Sequence, residues 1–225
     1  MEDFIGITFL FLACLEFILL INAIIFSQKN SVNFIVFITI SIFVAVSIIE
    51  FIISQFEINN SALLLLNFSL ISFLPALSLL LVLKFWNHES KLKFFIFLPT
   101  IAFIYYFTLL SNSIKIIEYS YFYIIYFYPL RTELGIFYFV MNFSALLFLI
   151  VKLRDPSLGY KKRLNVVLVL SLCISVVIPI LILLFYPSLN IYTESILNKF
   201  AFFYVLGLTY FSLKNKTEFL SVKVD

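Results

Sequence analysis

The chain has 225 residues, 64% of them hydrophobic and only 12% charged, with a formal net charge of +3 and a mean hydropathy of +1.14. A soluble domain is about half apolar, so this composition excludes a water-bounded globule and makes lipid the solvent for much of the surface. His88 is the sole histidine, Cys14 and Cys173 lie inside apolar runs, and glycine occurs at 6, 135, 159 and 207 alone. These counts leave no parts for a histidine-built metal centre, a disulfide framework or a Gly-rich phosphate loop. No cofactor, metal or nucleic-acid partner is expected.

Seven spans are predicted, each near the roughly 20 residues that carry a helix across the hydrocarbon. They cover about Phe4–Phe26, Val32–Ile53, Ala62–Lys84, Phe94–Leu110, Leu134–Val151, Leu164–Phe185 and Ser195–Leu213. The backbone must satisfy itself in lipid, so the expected fold is an all-α seven-helix bundle, residues 1–213, with a short tail over 214–225. The N-terminal MEDFIGITFLFLACLEF starts acidic and lacks a small-x-small site, which predicts a retained span rather than a cleaved signal.

Polar residues inside the spans are the candidate site. Glu16 lies mid-span, where a charge costs roughly 2.5–3.5 kcal/mol on insertion scales. Gly6, Ala13, Glu16 and Ala23 share one helical face, so Glu16 is expected to point into the bundle. It is read either as a ligand contact or proton-linked switch, or as an acid satisfied by a neighbour. In the second span Ser47, Glu50 and Ser54 share a face, and Glu50 is either an interface residue or part of a site. In the third, Ser69, Ser72 and Ala76 form a face with Asn67 above. In the seventh, Lys199 follows Asn198 and either snorkels to the headgroups or pairs with Glu50 or Glu194. Glu50, Asn67, Ser69, Asn198 and Lys199 share a depth in the outer third, which predicts a pocket there. Pro75, Pro99 and Pro179 are expected to interrupt, and can kink, spans three, four and six.

The stretch YSYFYIIYFYPL, 119–130, is too short to cross as a helix and is placed in the outer loop between spans four and five. Tyr119, Tyr121 and Tyr123 alternate with Ser120 and Phe122 at a strand-like period. Two readings stand: an interfacial aromatic belt, or a lid over the outer mouth in which Tyr121 and Tyr123 screen a lipophilic ligand.

Charge sets the orientation. One set of loops holds Lys29, the Lys84–Lys93 group, the Lys152–Arg163 group and the C-terminal lysines, 12 of the 15 basic residues. The other holds only Lys115, Arg131 and Lys199, with Glu2, Asp3, Glu57, Glu118, Glu133 and Glu194, six of the 12 acids. The positive-inside rule puts the N-terminus outside and the C-terminus in the cytosol. The Lys161-Lys162-Arg163 cluster holds topology and could meet anionic lipid.

Three segments carry a family likeness: SIIEFI (47–52), NFSLISFLPALSLLLVLKF (67–85) and RLNVVLVLSLCISVVIPILILLF (163–185). Over essentially its whole length the chain resembles the N-terminal seven-helix membrane region of bacterial sensor histidine kinases. The resemblance implies a multi-pass sensor of the bacterial inner membrane, with Glu50, Pro75 and Pro179 at family-typical positions. The sequence stops where that family's cytosolic helix would begin, so the expected reading is signal input without a transmitter, serving a small or lipophilic ligand and a cytosolic or membrane partner. A small-solute or ion transporter subunit, with Glu16 as a proton-coupled acid, is the alternative. A retinal protein fits less well, since Lys199 lies too near the outer end. An enzyme is not expected: no span holds a histidine, and no Gly-x-Ser-Gly or paired-carboxylate motif occurs.

Overall fold

The computed structural model describes residues 6–87, 91–119, 123–154 and 161–215. Six helices are long and apolar enough to cross a membrane: α1 (Ile7–Phe26), α2 (Ser31–Phe56), α3 (Ser61–Phe85), α5 (Arg131–Leu153), α6 (Lys161–Phe185) and α7 (Thr193–Lys214). The fourth helix, α4 (Leu98–Leu109), has 12 residues. It rises about 18 Å, less than the roughly 30 Å of hydrocarbon, and a 3₁₀ segment, Lys91–Phe97, leads into it.

Local chemistry starts and stops these helices. The Asn30 side chain accepts from the backbone N–H groups of Val32 (3.1 Å) and Asn33 (2.8 Å) to open α2, and Asn60 accepts from Ala62 N (2.8 Å) to open α3. Glu57 closes α2 in the left-handed region, at φ 51°. The three prolines behave differently. Pro75 lies inside α3. Pro99 sits in the first turn of α4, where its missing N–H costs nothing, so it starts a helix rather than kinking one, contrary to the sequence expectation. Pro179 follows a π-helical turn, Cys173–Val177, within α6. The wider turn makes room where proline cannot donate and would crowd the preceding carbonyl.

The all-α expectation needs one correction. Strands β1 (Lys115–Tyr119) and β2 (Ile124–Phe127) form an antiparallel hairpin between α4 and α5. Lys115 pairs with Phe127 and Tyr119 with Ile124, with an irregularity between Ile116 and Glu118. β-Branched and aromatic residues favour the strands, but a lone two-stranded hairpin is marginal. It is held because Ile124, Tyr126 and Tyr128 are buried against Leu64, Phe68, Phe107, Leu134 and Phe137 of α3, α4 and α5. This hairpin-side cluster is separate from the main core. The main core runs through α2, α3, α5, α6 and α7 and includes Leu77, Leu81, Leu149, Leu168, Leu208 and Phe211.

The perimeter is apolar too. Phe11, Phe26, Phe94 and Phe185 are among many large hydrophobic side chains left exposed, an arrangement only a lipid surround makes favourable. Small residues mark the helix contacts. A β-carbon at Gly207 of α7 would lie 2.4 Å from the β-carbon of Ser171 on α6. Gly207→Ala is therefore expected to destabilise the bundle by about 1–3 kcal/mol by overpacking. Adding Ser171→Gly should recover most of the loss, as read by thermal unfolding in detergent.

Candidate functional site

The hairpin-side halves of α2, α3, α5 and α7 line a cavity of about 380 Å³ at the seam between the two apolar clusters. Phe43 and Val46 of α2 and Phe68, Ile71 and Leu74 of α3 form much of its apolar wall. Glu50, Tyr128, Arg131, Glu194 and Asn198 supply polar groups.

Glu50 projects from the buried face of α2, which also carries Ser47 and Ser54, and is only 2% exposed. The Asn198 amide of α7 donates to its Oε2. Lys199, half-buried on the next residue, and Glu16, from the α1 side, both lie within electrostatic reach of Glu50. Glu50 is thus an acceptor-rich group in the wall of a mostly apolar chamber.

The rim of the cavity beside the hairpin is a hydrogen-bonded network. Arg131, the first residue of α5, donates from Nε to Glu194 Oε1 and from Nη2 to Oε2, each at 2.8 Å. Glu194 sits in the first turn of α7, where the helix dipole favours an acid. Tyr128 donates its hydroxyl to Glu194 Oε1 at 2.8 Å. Burial, then the adjacent Glu194 carboxylate, pushes the Tyr128 hydroxyl well above the ordinary tyrosine range, so it remains a donor. The hairpin joins the same helix end: Ile124 N donates to Ser195 Oγ at 3.0 Å, and Ser195 Oγ donates to Ile124 O at 3.2 Å.

The other predicted residues fall elsewhere. Glu16 is fully buried on the Phe9–Ala13–Leu20–Ala23 face of α1. Ser47 Oγ donates to its Oε2 at 2.8 Å, and Oε1 has no hydrogen-bond partner. It is not among the side chains lining the cavity. Asn67 is fully buried with neither amide atom hydrogen-bonded, and it too is off the cavity wall. Ser69 lies on the stripe with Ser72, and that stripe meets α4: Thr100 Oγ1 donates to Ser72 O at 3.0 Å. Tyr123 donates its hydroxyl to Glu118 Oε1 at 2.9 Å, and its ring centroid lies 4.6 Å from that of Tyr192. Tyr121 lies outside the described residues.

No family model, no curated protein and no solved structure matches the chain. What the cavity can hold follows from its walls: a small, mostly apolar molecule with a donor or a positive group turned toward Glu50. The sequence reading missed Arg131 and Tyr128 as site residues and named Glu194 only as a possible partner of Lys199. The available signal was a pair of opposite charges, each opening a long apolar helix. Gly135, one turn into α5, also lines the cavity.

Proposed function

We propose that the protein is a membrane sensor of receptor type, with seven crossing helices, an outer N-terminus and a cytosolic C-terminus. A small lipophilic ligand enters the outer cavity, and α7 carries the resulting shift to a cytosolic or membrane partner. The carrying observation is the 380 Å³ chamber with Glu50 in its wall. Exposed Phe94, Phe95, Leu98 and Ile101 support a place in lipid for α4 and its leading turn, and the loop charges support the orientation.

Three features favour reception over passage or catalysis. Beneath the chamber the bundle is filled by the main apolar core, which closes the route inward. Both acids of the wall are engaged, Glu50 by Asn198 and Glu194 by Arg131 and Tyr128, so neither is set up as a base beside a nucleophile. Helix α7 also links the two ends: Asn198 meets the chamber, while beyond its last residue Asn215 donates to Asn33 Oδ1 at 3.0 Å and Asn33 donates to Ser212 O at 3.3 Å.

The test is thermal unfolding in nanodiscs with octylamine and with octanol. Glu50→Gln keeps an acceptor for Asn198 but removes the charge. It is expected to weaken octylamine binding roughly tenfold to a hundredfold, the worth of a charge-assisted hydrogen bond, and to leave octanol unaffected. Equal octylamine binding by both proteins would remove Glu50 from the site.

One observation favours the transporter reading. Below the chamber, Ser78, Asn142, Tyr138 and Ser175 surround a space of about 10 Å³ beside the π turn of α6. Polar groups at that depth fit a path as well as a hinge. Uptake into proteoliposomes driven by a pH gradient and lost in Glu16→Gln would favour transport.

A further inference from the structure

The opposite end of the bundle carries a second site, independent of the outer cavity. We infer that Trp86, Lys152 and Lys161 form a binding site for a phosphate-bearing anion, where the ends of α3, α5 and α6 meet.

Trp86 caps the C-terminal end of α3 and is held in place on both sides. Its Nε1 donates to Asn165 Oδ1 at 3.2 Å, and the buried Asn165 donates from Nδ2 to Leu149 O at 2.7 Å. The indole is thereby pinned to α6 and, through Asn165, to α5. Two half-buried lysines fold onto this one ring. Lys152 Nζ of α5 lies 5.4 Å from the Trp86 ring centroid and 5.8 Å from that of Phe148. Lys161 Nζ of α6 lies 5.5 Å from Trp86 and 5.6 Å from Phe85.

Cation–π attraction positions both ammonium groups, yet they repel each other across the shared ring. Lys84 adds charge from the last turn of α3, and Lys162 and Arg163 follow Lys161 at the start of α6. That end of a helix disfavours cations. Among the described residues, no carboxylate forms an ion pair with Lys152 or Lys161; the Arg131–Glu194 pair lies at the other end of the molecule. Among the described residues, the cluster is therefore a positive site with no carboxylate paired to its two ring-bound lysines. A phosphate can take hydrogen bonds from both ammonium groups and lay its organic part on the indole and phenyl faces. Tryptophan is also the residue that settles at headgroup depth, and anionic leaflets attract such clusters. A plain topology signal needs only solvated charge, as exposed Lys162 and Arg163 provide. It does not need two lysines folded onto one fixed ring.

Trp86 is the only tryptophan in the chain, so selectively excited indole emission reports the site directly. The protein is placed in phosphatidylcholine nanodiscs with increasing phosphatidylglycerol, and separately in phosphatidylcholine nanodiscs titrated with glycerol 3-phosphate. A saturable emission change with phosphatidylglycerol alone identifies a lipid headgroup as the source. A saturable change with glycerol 3-phosphate identifies a soluble phosphate. Lys152→Gln with Lys161→Gln is expected to raise the half-saturation point roughly thirtyfold. Lys162→Gln with Arg163→Gln removes equal charge and is expected to raise it by less than about threefold. No saturable change with either anion in the wild-type protein, or equal shifts in the two double variants, overturns the site.

Discussion

Replacing Phe68 by alanine is expected to destabilise the protein by about 3–5 kcal/mol, the usual cost of deleting a buried phenyl ring, and to free the hairpin from the bundle. The Phe68 side chain is 1% exposed. Its ring centroid lies 4.3 Å from that of Tyr128, 5.3 Å from Tyr126 and 5.7 Å from Phe107. One side chain of α3 thus carries β2, the segment after it and α4 together. The hairpin depends on this aromatic docking, together with the Ser195 and Tyr128–Glu194 hydrogen bonds, because two strands alone are marginal. Hydrogen exchange should therefore rise at residues 124–128 well before it rises in the main core. A loss below about 1 kcal/mol, with unchanged exchange, would mean that the hairpin is held by something other than the aromatic cluster.

The second large effect is expected at the outer rim. Arg131→Met leaves the Glu194 carboxylate without its fork and should destabilise by about 2–3 kcal/mol. The upper range for a buried pair does not apply, since the Arg131 side chain is 35% exposed and Glu194 12%. Glu194→Gln loses the charge but keeps an acceptor for Tyr128, so it should cost less than Arg131→Met. The double variant should be more stable than the sum of the two, with a coupling energy of about 1–2 kcal/mol in a double-mutant cycle. Additive losses would show that the two side chains meet without stabilising the rim.

The sequence made the long helices legible because unbroken apolar runs of span length have one solution in lipid. It also made legible the buried face of α1, since small residues at helical spacing flank Glu16. The hairpin was half visible. The alternating tyrosines signalled strand over residues 119–123, of which 120–122 lie outside the described residues, and the strands run over 115–119 and 124–127. Pairing is a cross-chain property, and the partner KIIEY has no alternation to announce it. Tyr126 and Tyr128, of which Tyr128 lines the cavity, are buried packing residues.

The site divided in the same way. Glu50 and Asn198 share a depth, which the sequence does reveal, and they meet across 148 positions. Depth does not fix rotation, however. Phe68, Ile71 and Leu74 turn toward the cavity, while Ser69 is not among its lining residues and the buried Ser72 hydroxyl donates to Phe68 O within α3. The Arg131–Glu194 pair joins residues 63 apart at the mouths of two helices, and loop charge alone does not say which acid an arginine will find.

The central claim is that the outer chamber binds the ligand. Gly135 lines that chamber, and a β-carbon added there would meet nothing within 4 Å. Gly135→Phe therefore fills the space from a helix that gains from losing a glycine, by about 0.5 kcal/mol. The measurement is the octylamine-induced rise in unfolding temperature in nanodiscs, compared between wild-type protein and Gly135→Phe. The variant is expected to unfold at the same temperature or higher without octylamine and to lose the octylamine response. An undiminished response in a stable Gly135→Phe protein would contradict it.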